Sequence, residues 1–172
     1  MRKKLTPFIF SALIVILDQV TKALVVAYIP ENTVKFSLFN DFLRIVHVRN
    51  TAIAFSLGEG LEMPLKIVLF IVVPLILVAA ISYYIVKDER EFSRFEKYML
   101  TGFVGGGCGN LIDRVFRHMS VVDFISTNNY GLFGMERFPT YNIADASVVI
   151  CVILLVLSML FFKKGNKNEQ KS

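Results

Sequence analysis

Four long apolar blocks dictate what this chain can become. They cover about 8–28, 65–86, 98–116 and 142–162 of its 172 residues. Each holds roughly 19–22 residues, and at about 1.5 Å rise per residue a helix of that length crosses a hydrocarbon core of about 30 Å. Inside such a core every backbone polar group must be satisfied within the protein, so a run that spans in one piece is a helix. The expected fold is an all-α membrane protein of four transmembrane helices, one polytopic membrane domain over residues 1–172. A composition that is 55% hydrophobic and only 19% charged fits that class.

The blocks carry their own punctuation. Pro30 stops the first, Pro64 suits the first turn of the second, and the internal Pro74 is expected to kink it. Arg2, Lys3 and Lys4 resemble the start of a signal peptide, but the apolar run behind them is too long for one and lacks a small-residue cleavage site. The first block is therefore expected to be a retained transmembrane helix. Eleven Lys and Arg flank the spans on one side (the N-terminus, the 87–97 connection and the tail), against five in the two longer connections. That asymmetry places both termini in the cytoplasm and the connections at 29–64 and 117–141 outside.

The first outer connection is not plain loop. Over about 31–62 it forms a β-rich extracytoplasmic segment, with Val34–Phe39 and Phe42–Val48 expected as short strands lying on the membrane surface. Residues 117–141 are expected to form a mobile outer loop, whether 126–140 acts as a lid being left open by the sequence, and the polar tail from Lys163 is expected to be disordered. The net charge is +5, but the basic residues border apolar blocks instead of forming a patch, which argues against a nucleic-acid partner and for membrane lipid. Cys108 and Cys151 are isolated within apolar blocks, and His47 and His118 stand alone, so neither a metal site nor another cofactor is expected.

Polar residues inside the spans are expensive and therefore informative. In this topology they gather at one level, near the outer interface. Asp18 and Lys22 lie in the outer half of the first helix, and Asn110, Asp113 and Arg114 at the outer end of the third. Asp123 follows just beyond, Asn142 and Asp145 open the fourth helix, and Asn50 lies in the outer connection. Each has a bland reading. Asp18 and Lys22, spaced i, i+4, can simply neutralise one another. Asp113-Arg114 can anchor a helix end, with different partners for the two neighbours. Gly105, Gly106, Gly107 and Gly109 offer a close helix-packing surface. Asp145 can complement a helix macrodipole. Two carboxylates that meet, by contrast, support shared-proton chemistry.

Five motifs occur in order over nearly the whole chain. They are Asp18-Gln19-Val20-Thr21-Lys22, Asn50-Thr51-Ala52-Ile53-Ala54-Phe55-Ser56, Gly105 through Asp113-Arg114, Val121-Val122-Asp123-Phe124, and Phe138-Pro139-Thr140-Tyr141-Asn142-Ile143-Ala144-Asp145. Together the chain resembles the lipoprotein signal peptidase family, or signal peptidase II. The resemblance implies an intramembrane aspartic endopeptidase of the bacterial cytoplasmic membrane, blocked by globomycin. Its partners would be lipid-modified prolipoproteins, whose signal peptides it cuts before the diacylglyceryl-modified cysteine. It implies Asp123 and Asp145 as the catalytic pair, Asn50, Asn110, Arg114 and Asn142 as support for site and substrate, and Asp18, Lys22 and Asp113 as structural polar groups. One departure is that a glycine usual in the family's second motif is absent from Asn50-Thr51-Ala52-Ile53-Ala54.

Two other classes make different demands. A small proton-coupled transporter would spread its ionisable groups over several depths of the bilayer. A non-catalytic membrane scaffold would tolerate loss of either aspartate. Which carboxylate acts as base and which as acid belongs to the coupled pair, and spacing alone does not assign it.

Overall fold

The computed structural model describes residues 2–51, 60–87 and 92–161. The expected disordered tail, the Ala52–Ser56 part of the second motif and Phe162 at the end of the fourth block lie outside the described residues. The chain runs through α1 (Arg2–Tyr28), β1 (Val34–Leu38), β2 (Leu43–Asn50), α2 (Met63–Lys87), α3 (Arg94–Phe116), β3 (Val121–Thr127), a short 3-10 turn (Leu132–Gly134) and α4 (Ile143–Phe161).

Local chemistry sets the helix ends. Pro64 sits in the first turn of α2. α3 begins at Arg94 because Ser93 and Glu96 form a capping box: the Glu96 N–H donates to Ser93 Oγ at 3.2 Å and the Ser93 N–H donates to Glu96 Oε2 at 2.8 Å. Pro74 does not break α2. The five residues before Val73, Val68–Val72, are wound as a π-helix. The wider turn lies where the proline ring would press on the carbonyl of Phe70, four residues earlier.

Among the described residues three helices, Leu5–Tyr28, Met63–Lys87 and Ile143–Phe161, are long and apolar enough to cross a membrane. α3 is comparable in length at 23 residues but carries Asn110, Asp113 and Arg114 in its last two turns. The bundle is polar within and apolar without. Asp18, Lys22, Asp113 and Asn142 are fully buried, whereas Ile9, Leu13 and Ile16 on α1 are each more than half exposed. In water that arrangement would be unstable, but hydrocarbon around the helices makes it the favoured one.

α3 sits at the centre, packed against α1 and α4. Glycines permit the close approach. A Cβ at Gly109 would lie 2.7 Å from Asp18 Oδ2 and 3.1 Å from Ala144 Cβ, and one at Gly106 would lie 2.5 Å from the Ala144 carbonyl oxygen.

At one end lies a three-stranded antiparallel sheet in the order β1-β2-β3. The expected outer loop over 117–141 therefore needs correction, because residues 121–127 are its third strand. β3 pairs along β2, with Asn50 opposite Val121 and Val48 opposite Asp123. The strand escapes a period-two reading because most of it is buried regardless of face. Val122 and Phe124 pack with Val25 and Ile29 at the end of α1, fixing the sheet to the bundle. The remaining loop is fastened at its base. Arg137 donates to the Ser126 carbonyl at 3.0 Å and Ser126 Oγ at 2.9 Å, and it pairs with Asp41 at 3.2 Å. Hydrogen bonds from Arg44 and Ser37 hold the Asp41 carboxyl down at about 2, so it stays charged for that contact.

Candidate active site

Asp145 is placed by a helix start. The Asp145 N–H donates to Asn142 Oδ1 at 2.9 Å, and the Asn142 N–H donates to Asp145 Oδ2 at 3.1 Å. This is a reciprocal capping box in which Asn and Asp take the places usually held by Ser or Thr and Glu. It is the physical content of the Asn142-Ile143-Ala144-Asp145 spacing. Asp123 is placed by a strand. Successive side chains on β3 alternate, so Val122 and Phe124 enter the core while Asp123 turns to the other face.

Asn142 joins the two. Its Nδ2 donates to Asp123 Oδ1 at 2.7 Å while its backbone and Oδ1 hold Asp145. Asn50 Nδ2 donates to the other oxygen of Asp123 at 3.0 Å, and Asn110 Nδ2 donates to Asp145 Oδ1 at 2.7 Å. Each carboxylate thus accepts two hydrogen bonds from the described residues. Burial, reinforced by the charge of Asp145, pushes the Asp123 carboxyl up from 3.8 to about 7. The amides of Asn50 and Asn142, and Lys22 beyond them, pull it the other way. Asp123 is only 2% exposed, which is why desolvation prevails.

Arg114 shapes the next layer. Its guanidinium donates to the Met119 carbonyl at 2.5 Å and to the Asn50 carbonyl at 3.3 Å, and it lies 4.9 Å over the Phe70 ring. Phe70 belongs to the π-wound segment of α2, so the irregular turn there supports an arginine of the site. As expected for adjacent helix residues, Asp113 has other partners: Lys22, Gln19, Arg117 and the Val122 N–H.

Asp18, Lys22 and Asp113 form a fully buried cluster beneath the pair. Lys22 Nζ contacts Asp18 at 2.8 Å, Asp113 at 3.2 Å and Asn110 Oδ1 at 2.9 Å, which occupies all three ammonium donors. Asp18 accepts the Ala144 N–H at 3.0 Å, one residue before Asp145. Asp113 accepts the Val122 N–H at 3.0 Å, one residue before Asp123. The cluster therefore grips the backbone beside both aspartates. Gln19, which sequence reading gave no role, donates to the Gly109 carbonyl and to Asp113. The signal for the capping box was present in the Asn-x-x-Asp spacing. The signal for Phe70 was not, because only the folded helix brings it under Arg114.

A cavity of about 690 Å³ opens on this group. Asp123, Asp145, Asn50, Asn110 and Arg114 line it, with Phe138 to Tyr141 on one wall and Val149 and Ile150 of α4 continuing it along the helix. Asn142 lies buried behind the two carboxylates. One buried and one half-buried carboxylate beside a partly apolar cleft are groups of the kind that, when they share a proton, activate water and polarise an amide carbonyl.

Comparison with known proteins gives a consistent result. The family model described as Signal peptidase (SPase) II matches residues 10–161. The lipoprotein signal peptidase of Borrelia duttonii (strain Ly) is 39% identical over 160 residues, covering 93% of this chain and 92% of the relative. That of Treponema pallidum (strain Nichols) is 41% identical over 159 residues, covering 92% and 85%. Among solved structures, a bacterial membrane enzyme determined by the in meso method at 2.3 Å superposes with a TM-score of 0.75 at 34% identity, over 90% of this chain and 87% of that one.

Proposed function

Since the chain belongs to the signal peptidase II family, we propose that it is an intramembrane aspartic endopeptidase acting on lipid-modified prolipoproteins. It removes their signal peptides, cutting before the diacylglyceryl-modified cysteine, with Asp123 and Asp145 as the catalytic pair. The observation that carries the reading is the Asn142 bridge, one side chain whose backbone and amide hold both carboxylates at the mouth of one cavity. Repulsion between two such close carboxylates favours the state in which one is ionised and the other protonated. The ionised one takes a proton from water, and the protonated one polarises the scissile carbonyl.

A signal peptide in the membrane is helical and hides its peptide bonds, so it must unwind locally to be cut. Asn50, Asn110 and Arg114 supply polar groups at the cavity for backbone that hydrocarbon would leave unsatisfied, and Asn142 behind them holds the carboxylates in place. α3 completes a four-span topology, its polar residues turned into the bundle. Both termini lie in the cytoplasm and the site near the outer face of the bacterial cytoplasmic membrane. The transporter alternative needs relay groups at several depths. The buried groups Asp18, Lys22, Asp113 and Asp123 instead form one linked cluster, and the buried Glu96 at the far end of α3 is used in a capping box.

The test is cleavage of a diacylglyceryl-modified prolipoprotein by purified protein carrying Asp123→Asn or Asp145→Asn. Both variants should insert normally and lose cleavage. Full activity in either one removes the pair assignment. Alanine at Asn110, Arg114 and Asn142 should each lower turnover, and normal turnover in all three would remove their role in holding substrate.

A further inference from the structure

The two aspartates are not equivalent, and the difference begins at Lys22. An ammonium group only donates. With Lys22 Nζ 2.9 Å from the Asn110 side chain, the oxygen of that amide must face the lysine and its NH₂ must face away. Away is Asp145, 2.7 Å distant. Asn142 reinforces the orientation, because its Nδ2 also donates to Asn110 Oδ1 at 3.2 Å. Lys22 itself cannot swing aside, since it is fully buried with Asp18 at 2.8 Å and Asp113 at 3.2 Å.

Asp145 therefore receives one hydrogen bond from an amide polarised by a buried cation, and another from the Asn142 N–H at the start of α4. It also lies in the first turn of a 19-residue helix, where the macrodipole favours negative charge. Among the described residues, the donors to Asp123 are the side-chain amides of Asn50 and Asn142. The Asn142 amide is shared, also reaching Asn110 Oδ1 and, at 3.4 Å, the Val122 carbonyl. Among the described residues, the charged groups that bear on Asp145 are Lys22 and Asp18 on α1, Arg114 on α3 and Asp123 on β3. Asp113 on α3 adds a further carboxylate, which Lys22 and Arg117 hold.

Building on the aspartic peptidase reading above, we propose that Lys22 is a positioning residue that acts through the Asn110 amide to keep Asp145 ionised, leaving the shared proton on Asp123. In hydrolysis a water proton then passes to Asp145 as the water oxygen bonds to the carbonyl carbon, and the Asp123 proton passes to the carbonyl oxygen. Collapse of the resulting diol breaks the C–N bond. The leaving amine takes the proton from Asp145, and Asp123 regains one from the diol hydroxyl.

Lys22→Gln tests this in the full-length protein, with thermal midpoint as the check of folding and kcat, KM and pH as readouts. The acid limb of the kcat profile should move up by about one pH unit, giving roughly a tenfold loss below that limb that shrinks as pH rises, with KM within about twofold. Asp113→Asn disturbs the same cluster but leaves the Lys22–Asn110 contact, so it should lower the midpoint without moving the limb upward. A folded Lys22→Gln protein with a wild-type limb, or with a loss equal at all pH values, overturns the proposal. If Lys22→Gln does not fold, infrared spectra of wild type, Asp123→Asn and Asp145→Asn at pH 5 decide. The protonated-carboxyl band of the pair should vanish in Asp123→Asn and persist in Asp145→Asn, and the reverse pattern overturns the proposal. Wild-type cleavage by either aspartate variant would instead overturn the parent peptidase reading, a result distinct from a wild-type limb in Lys22→Gln alone.

Discussion

Replacing Asp123 by asparagine should abolish cleavage and at the same time make the protein more stable, increasingly so as pH rises. The carboxyl is 2% exposed and is pushed from 3.8 to about 7 by burial and by the neighbouring Asp145. A carboxyl whose folded value is raised binds its proton more tightly in the native state than in the unfolded one. Stability is therefore present below the ordinary value and is lost as pH climbs towards 7, the reverse of the usual salt-bridged aspartate. With those two values the native state loses about 3 kcal/mol between pH 5 and pH 8 through this one group. Asparagine is nearly isosteric and does not titrate. Its amide can satisfy one of the two asparagine neighbours only if that neighbour turns, which costs about 1 kcal/mol at all pH values. The measurement is the thermal midpoint of purified wild type and Asp123→Asn in the same detergent at pH 5, 6, 7 and 8. At about 2–4 °C per kcal/mol for a chain of this size, the difference between the two proteins should move by roughly 6–12 °C in favour of the variant across that range. A difference that stays constant with pH would refute the buried, proton-holding Asp123 on which the chemistry depends.

Other perturbations separate support from chemistry. Asn142→Ala should cost about 1–2 kcal/mol through the lost cap and lower kcat by about 100-fold or more, while Asn142→Ser should restore the stability but not the rate, as midpoint and turnover measured side by side would show. Gly109→Ala places a methyl 2.7 Å from Asp18 Oδ2. It should destabilise by about 1–3 kcal/mol, whereas Gly60→Ala, with nothing among the described residues within 4 Å, should be neutral to about 0.5 kcal/mol. Arg137→Ala releases the loop base from Asp41 and Ser126, and limited proteolysis should then nick residues 128–137 faster than in wild type.

What could be read from residues alone follows from how far each interaction reaches along the chain. Helix positions were legible because an apolar run and a Pro in the first turn act within a few residues; the Ser93-x-x-Glu96 cap is just as local but went unread, so α3 begins at Arg94 and not at about residue 98. β3 was not, because its partner β2 lies some seventy residues earlier and its burial lacks alternation. The Asp18–Lys22 pairing is written in i, i+4 spacing, but their third partner, Asp113, arrives only when α3 packs on α1. That third contact changes what the cluster does. An isolated Asp–Lys pair would merely neutralise two costly charges. Asp18 also holds the Ala144 N–H, Asp113 holds the Val122 N–H, and Lys22 orients Asn110. Charges buried for structural reasons thereby fix the backbone immediately before both aspartates and the amide that contacts one of them. Support and chemistry are consequently hard to separate by deletion at Asp18 or Asp113: removing either frees a backbone N–H and leaves Lys22 under-paired in one step. Lys22 and Asn110 are where the two can be told apart, because a change in amide orientation alters proton affinity at Asp145 without first releasing the helix start or the strand.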